Sequence, residues 1–156
     1  MALRKLIISL AICLGAGGIG AAFTMQSVDT WYAMLRKPFF TPPNWIFAPV
    51  WTILYILMGI SLCMLWHKRQ RLGEHTALYL LFGTQLVLNI GWSFAFFGMR
   101  SILGGLFVII SLWLAIIATI HAFLHKSKMA GWLLIPYLVW VSYAGLLNFG
   151  LWWLNK

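Results

Sequence analysis

The stretch from Ile102 to Phe123, ILGGLFVIISLWLAIIATIHAF, decides the fold. It contains no Asp, Glu, Lys or Arg and lacks the apolar–polar alternation of a barrel strand. A bilayer core is crossed by a helix of roughly 20 apolar residues. Only a segment that satisfies its own backbone hydrogen bonds can do so, because hydrocarbon supplies no partners. Four more blocks of this kind lie near 6–27, 45–66, 77–97 and 131–154. The pattern predicts an all-α integral membrane protein, a bundle of five transmembrane helices forming one domain over 1–156, with a connecting loop at 28–44.

Composition agrees. The 156 residues are 63% hydrophobic and 8% charged, with a mean hydropathy of +0.92, whereas a soluble domain carries roughly a quarter charged residues. A soluble globular protein is therefore excluded. Eleven Lys and Arg against two Asp and Glu give a net charge of +9. In a soluble chain that excess would point to nucleic acid, but here the basic residues sit in short segments between apolar blocks, as flanks of membrane helices, and no nucleic-acid partner is expected. Arg4, Lys5, Lys68, Arg69, Arg71, Lys126 and Lys128 fall on the N-terminal side, and Arg36, Lys37, Arg100 and Lys156 on the other. The asymmetry predicts a cytoplasmic N-terminus if the membrane is a plasma membrane. Arg4 and Lys5 before an apolar run resemble a secretory signal, but further spans follow, so 6–27 reads as a retained first helix.

The loop is the least ordinary segment. From Trp31 to Trp51 it reads WYAMLRKPFFTPPNWIFAPVW, where Pro38, Pro42, Pro43 and Pro49 fix backbone angles and break a continuous helix. This is the composition of a folded lid. Its aromatics either form an interfacial belt or roof a cavity for a flat apolar ligand, and composition leaves both readings open.

Polar groups inside spans are few. Gln85, Asn89 and Ser93 recur at i, i+4 on one helical stripe, adjoined by Trp92 and Phe96. They serve either interhelical hydrogen bonding or a ligand pocket. No ionisable carboxylate, Lys or Arg lies well inside a span, which argues against a pump built on buried carboxylates and against a charge-lined channel. Cys13 and Cys63 sit within apolar blocks and read as small packing residues. His121 and His125, like His67 and His75, read as interfacial flanks, and no metal site is expected. Gly15, Gly17 and Gly20 match a dinucleotide-binding pattern by composition alone, since no strand precedes them.

The run W-Y-A-x-L-x-K-P-x-x-x-P-P-x-W-x-x-A-P-V-W-x-x-L-Y, from Trp31 to Tyr55, resembles the signature of the tryptophan-rich sensory protein and translocator protein family, TspO/MBR, once called the peripheral benzodiazepine receptor. The likeness continues through Gln85, Asn89 and Trp92, through Phe96-Phe97-Gly98 with Arg100, and through Pro136-Tyr137-Leu138 with Trp140, Ala144, Leu147 and Asn148. It implies a five-helix bundle, usually a homodimer, with a pocket under the first loop for porphyrins, haem-like tetrapyrroles and isoquinoline or benzodiazepine ligands, and with no required cofactor. Carried over by position, the pocket would comprise Tyr32, Pro42, Pro43, Trp45, Trp51, Asn89, Trp92, Ser93, Trp140, Ala144 and Leu147. Trp51 and Trp140 match the tryptophans that the family links to light- and oxygen-dependent porphyrin breakdown. The chain departs from animal members in having Phe149 where their sterol motif needs tyrosine, which disfavours sterol transport. It also has Ser93 and Phe94 where they carry prolines, which predicts a straighter third span.

Three functions compete at this point: a tetrapyrrole-binding membrane receptor or translocator, a photo-oxidative porphyrin-degrading enzyme using Trp51 and Trp140, and a membrane scaffold or stress regulator. In the first, Asn89 and tyrosine hydroxyls would orient the ligand's polar edges, and Arg36 and Lys37 would meet its propionates.

Overall fold

The computed structural model of the chain describes residues 2–66 and 72–156, and the side chains of all of these but 2 and 72–75. Lys68, Arg69, Arg71 and His67, on which part of the charge asymmetry and one histidine pair rest, lie outside the described residues. Five long helices dominate: α1 (Ala2–Met25), α3 (Asn44–Trp66), α4 (Leu72–Ser93), α5 (Ile102–Lys126) and α7 (Ile135–Asn155). Two short ones, α2 (Trp31–Met34) and α6 (Lys128–Trp132), lie between them. Five helical stretches are long and apolar enough to cross a bilayer: Leu3–Met25, Asn44–Trp66, Thr76–Gly98, Ile102–Lys126 and Lys128–Asn155. Apolar side chains face outward as well as filling the core, as a membrane protein requires. Gln85, Asn89 and Asn148 are buried in the bundle while Phe107, Leu114 and Val139 face outward.

Small residues set how closely α1 meets α3. A Cβ on Gly59 would stand 3.0 Å from the Leu10 backbone, and one on Gly17 would stand 2.5 Å from the Tyr55 ring. Lys5 Nζ donates to the Trp66 carbonyl at 3.0 Å, occupying one of the acceptors left free at the end of α3. Beyond Gly17 the helix leans on α4 instead. There Gly20 faces Ser93, the Phe23 and Phe94 rings meet edge to face at 5.2 Å, and Ser27 Oγ donates to the Phe97 carbonyl at 2.8 Å.

Two spans differ from a straight reading. Although it lacks prolines, the third does not end as a regular α-helix: Phe94–Gly98 forms a π turn, closed by Met99 N–H donating to the Phe94 carbonyl at 2.8 Å. The wider turn buries three consecutive residues, Ala95, Phe96 and Phe97, with the two phenyl rings 4.8 Å apart. Arg100, at φ 52°, then reverses the chain, and Ser101 Oγ caps α5 by accepting from Gly104 N–H at 3.0 Å. The fifth span is broken at Leu133 and Leu134, just before Pro136 in the first turn of α7, where a missing N–H costs nothing. Ser61 Oγ ties α6 to α3 by donating to the Ala130 carbonyl at 2.7 Å.

Gly59→Val forces side-chain atoms into the Leu10 backbone and is expected to cost about 1–3 kcal/mol. Thermal unfolding in detergent should show a lower midpoint. Gly83→Ala, where a Cβ meets nothing within 4 Å, should leave it unchanged or slightly raised.

Candidate functional site

Proline-rich sequence between α2 and α3 becomes an ordered strap, and what orders it is α7. Arg36 N–H donates to Asn155 Oδ1 at 3.0 Å, and Asn155 Nδ2 donates back to the Arg36 carbonyl at 2.9 Å. Pro38 lies against Gly150, where a Cβ would come within 2.6 Å of its ring. Tyr143 OH donates to the Phe40 carbonyl at 2.6 Å. With their φ angles preset, the prolines leave less conformational freedom to be lost when these contacts form.

Beneath α2 lies a cavity of about 480 Å³ bounded by α1, α3, α4, the π turn and α7, within the size range of small-molecule sites. Its wall is a ladder of rings. Trp51 stacks on Tyr55 at 5.7 Å and on Trp92 at 6.5 Å, and Trp92 stacks on Phe96 at 5.5 Å. Trp31 and Tyr32 meet Phe96 edge-on at 5.5 and 6.1 Å, closing the upper end.

Most polar groups around the cavity are already engaged. Tyr55 OH donates to Asn89 Oδ1 at 2.6 Å, and Asn89 Nδ2 donates to Tyr137 OH at 2.7 Å. This chain joins α3, α4 and α7. Trp92 Nε1 donates to Asn148 Oδ1 at 3.1 Å, and Asn148 Nδ2 to the Ile102 carbonyl at 2.9 Å. Asn89 thus braces the floor, with one bond from its amide nitrogen and one to its oxygen made with protein. Ser93 Oγ and Tyr32 OH line the cavity without a hydrogen bond among the described residues. Burial, with a smaller contribution from the Tyr143 phenol, pushes the Tyr32 hydroxyl up to about 12, so it stays a neutral donor at neutral pH. Asp29 stands at the mouth, and Lys37 Nζ lies 4.6 Å over the Tyr32 ring.

Of the residues expected in a pocket, the structure brings Tyr32, Trp51, Asn89, Trp92, Ser93, Ala144 and Leu147 to the cavity wall. It places Pro42, Pro43, Trp45 and Trp140 away from that wall. Trp45 is 73% exposed on the outside of α3, an interfacial position, and Pro42 and Pro43 lead into α3, where the Pro43 carbonyl accepts from Ile46 N–H at 3.0 Å. Trp140 forms a second layer, edge-on to the cavity-lining Phe47 at 6.0 Å and against Tyr143 at 5.5 Å, its buried Nε1 without a partner among the described residues. Phe47, one of the loop aromatics that could roof a cavity, lines it, whereas Thr24 and the small residues Gly17, Gly20 and Ala21 were not expected there. Nothing local marks these four; they line it because α1 crosses α3 at Gly17.

Comparison with known proteins agrees over nearly the whole chain. The profile of the TspO/MBR family matches residues 9–154. A tryptophan-rich protein TspO from Archaeoglobus fulgidus is 47% identical over 155 residues, 99% of each chain. The translocator protein of Bos taurus is 37% identical over 141 residues, covering 90% of this chain and 83% of its own. A tryptophan-rich sensory protein from Cereibacter sphaeroides is 37% identical over 140 residues, 90% of this chain and 84% of its own.

Asn89→Leu strands two buried phenol hydroxyls and is expected to destabilise the bundle by about 1–3 kcal/mol. Ser93→Ala, which removes no protein hydrogen bond, should unfold like the wild type. Chemical denaturation in mixed micelles separates the two.

Proposed function

The chain belongs to the TspO/MBR family, and from that premise we propose that it is a membrane receptor or translocator that holds a porphyrin or related tetrapyrrole in the cavity beneath α2. Isoquinoline- and benzodiazepine-type ligands, flat and apolar, suit the same walls. The observation that carries this reading is the ring ladder Tyr55–Trp51–Trp92–Phe96 along one side of a cavity of about 480 Å³. Stacked aromatic faces match a planar macrocycle, each ring pair contributing about 0.5–1.5 kcal/mol beyond area burial. Ser93 Oγ and the neutral Tyr32 hydroxyl supply hydrogen bonds to ring nitrogens or carbonyls. An acidic edge reaching past the mouth would meet Lys37, which already lies over Tyr32; Asp29 on the same rim disfavours a second anion there.

A second reading, light- and oxygen-dependent porphyrin breakdown, draws support from the same ladder, because Trp51 would lie against a bound macrocycle with Tyr55 and Trp92 stacked on it. No acid or base is needed for such chemistry. Trp140, one layer behind Phe47, would act only through that ring.

Titrating the purified protein with protoporphyrin in the dark should give saturable, micromolar binding with a shifted absorbance band. Trp51→Ala should weaken it about tenfold, in line with loss of stacking and burial, and Ser93→Ala a few-fold. Absence of saturable binding by the wild type overturns the proposal. Under visible light, a defined product that is lost in Trp51→Phe and absent from free porphyrin would establish the enzymatic reading. Bleaching identical to the protein-free control would remove it.

A further inference from the structure

The cavity wall has a feature that a pocket reached from water would not need. Leu14, Gly18, Ala21 and Met25 of α1 and Ala48 and Thr52 of α3 line the cavity, and all six are exposed, so the cavity is open along this pair of helices. They stand on the two helices that touch at Gly59 and Gly17 and separate above that point. On the N-terminal side of the crossing the pair is sealed by Leu10 on Gly59 and by Lys5 on the Trp66 carbonyl. On the loop side α1 turns to α4 through Gly20, Phe23 and Ser27, whereas α3 turns to α7 through Phe47 on Trp140. The result is a V-shaped gap whose apex is Gly17 against Tyr55 and whose back wall is Trp51.

Depth places the gap in hydrocarbon. Thr52 lies eight residues into α3, which begins at Asn44, so the gap extends about 12 Å below the outer end of that helix at 1.5 Å per residue. That is within one leaflet of a core about 30 Å thick. The strap, meanwhile, is fastened to α7 at Asn155, Gly150 and Tyr143, and none of these contacts bridges α1 and α3. We propose that the cavity exchanges its ligand sideways with the leaflet on the loop side, through the gap between α1 and α3, so that the species it takes is an apolar ring molecule already dissolved in lipid. Gly18 and Ala21 are the sill: a side chain at Gly18 would meet nothing within 4 Å, which leaves the passage open. The inference rests on the reading that the cavity holds such a ligand, and its test separates the two.

The full-length protein in phosphatidylcholine vesicles is mixed with vesicles carrying protoporphyrin, and arrival and departure are followed by fluorescence in wild type, Gly18→Phe, Ala48→Phe and Gly83→Phe. Narrowing a passage slows both directions, whereas damaging a site speeds departure. Both gap variants are expected to release the porphyrin about tenfold more slowly, as for association gated by a conformational opening. Gly83→Phe, at an open position outside the cavity, should behave as wild type. Departure that is unchanged or faster in both gap variants overturns the inference. If the wild type takes up no protoporphyrin, the binding reading fails by itself and a lipid probe decides the gap. Acyl chains brominated at mid-depth should quench the part of the emission that Trp51→Phe removes, and less so in Gly18→Phe. No such quenching overturns the inference independently of any tetrapyrrole.

Discussion

The contact of Gly17 with the Tyr55 ring holds the rest of the architecture in place. Because glycine adds no side chain there, α1 and α3 cross closely enough for the Tyr55 ring to wedge between them and present its hydroxyl to α4. That hydroxyl donates to Asn89, and Asn89 in turn donates to Tyr137 on α7. One crossing therefore sets the positions of four helices, and the stack of Trp51 on Tyr55 follows from it. Lipid tails give helices no hydrophobic reason to associate, so such close packing and short polar chains are what membrane bundles depend on. A larger residue at 17 would displace the phenol and loosen the floor of the cavity with it.

The polar stripe of the third span shows how differently one helical face is used along its length. Ser93, nearest the loop side, borders the cavity with its hydroxyl uncommitted. Asn89, one turn deeper, is spent on two tyrosines. Gln85, deeper still, is fully buried with neither amide atom partnered among the described residues. Asn89, expected to orient a ligand, also has a bracing role, because each end of its amide makes a hydrogen bond to a protein phenol, at 2.6 and 2.7 Å. Displacing either bond would strand a phenol in a low-dielectric interior, at a cost no weak ligand contact repays.

The five-helix bundle was legible because it depends on length and composition, which a sequence displays directly: a block such as 102–123 has no other stable use in water or lipid. The strap was half legible. Its prolines announce restricted backbone, but the residues that hold it, Tyr143, Gly150 and Asn155, lie over a hundred positions away and carry no local mark. The cavity wall was legible where periodicity and resemblance agreed, at Trp92 and Ser93, and by resemblance at Trp51, and obscure where helix rotation decides which side of a residue looks inward. Trp45 and Trp51 share the same motif and helix, yet one is 73% exposed and the other is stacked inside. Six residues is about 600° of helical rotation, roughly 120° short of two whole turns, enough to turn one indole to the membrane surface and the other to the cavity. The π turn at Phe94–Gly98 left no sequence signal at all, since it arises from packing Phe96 and Phe97 together on the same side.

A cavity opening to lipid would also account for the run of rings along one of its walls, beside the aliphatic residues that complete the lining. For a ligand arriving from water, any apolar surface would do, because the gain comes from leaving water. For one arriving from the bilayer that gain has already been made, and a wall of Leu and Ile would hold it no better than the lipid it left. Selectivity over hydrocarbon must come from interactions that acyl chains do not make. Offset stacking on Trp51 and Trp92 is one, and hydrogen bonds to Ser93 and Tyr32 in a site of low dielectric are another. With those two hydroxyls free while the Asn89 and Asn148 amides are engaged by protein, the proposed recognition of a polar-edged ring over a lipid tail falls to few groups.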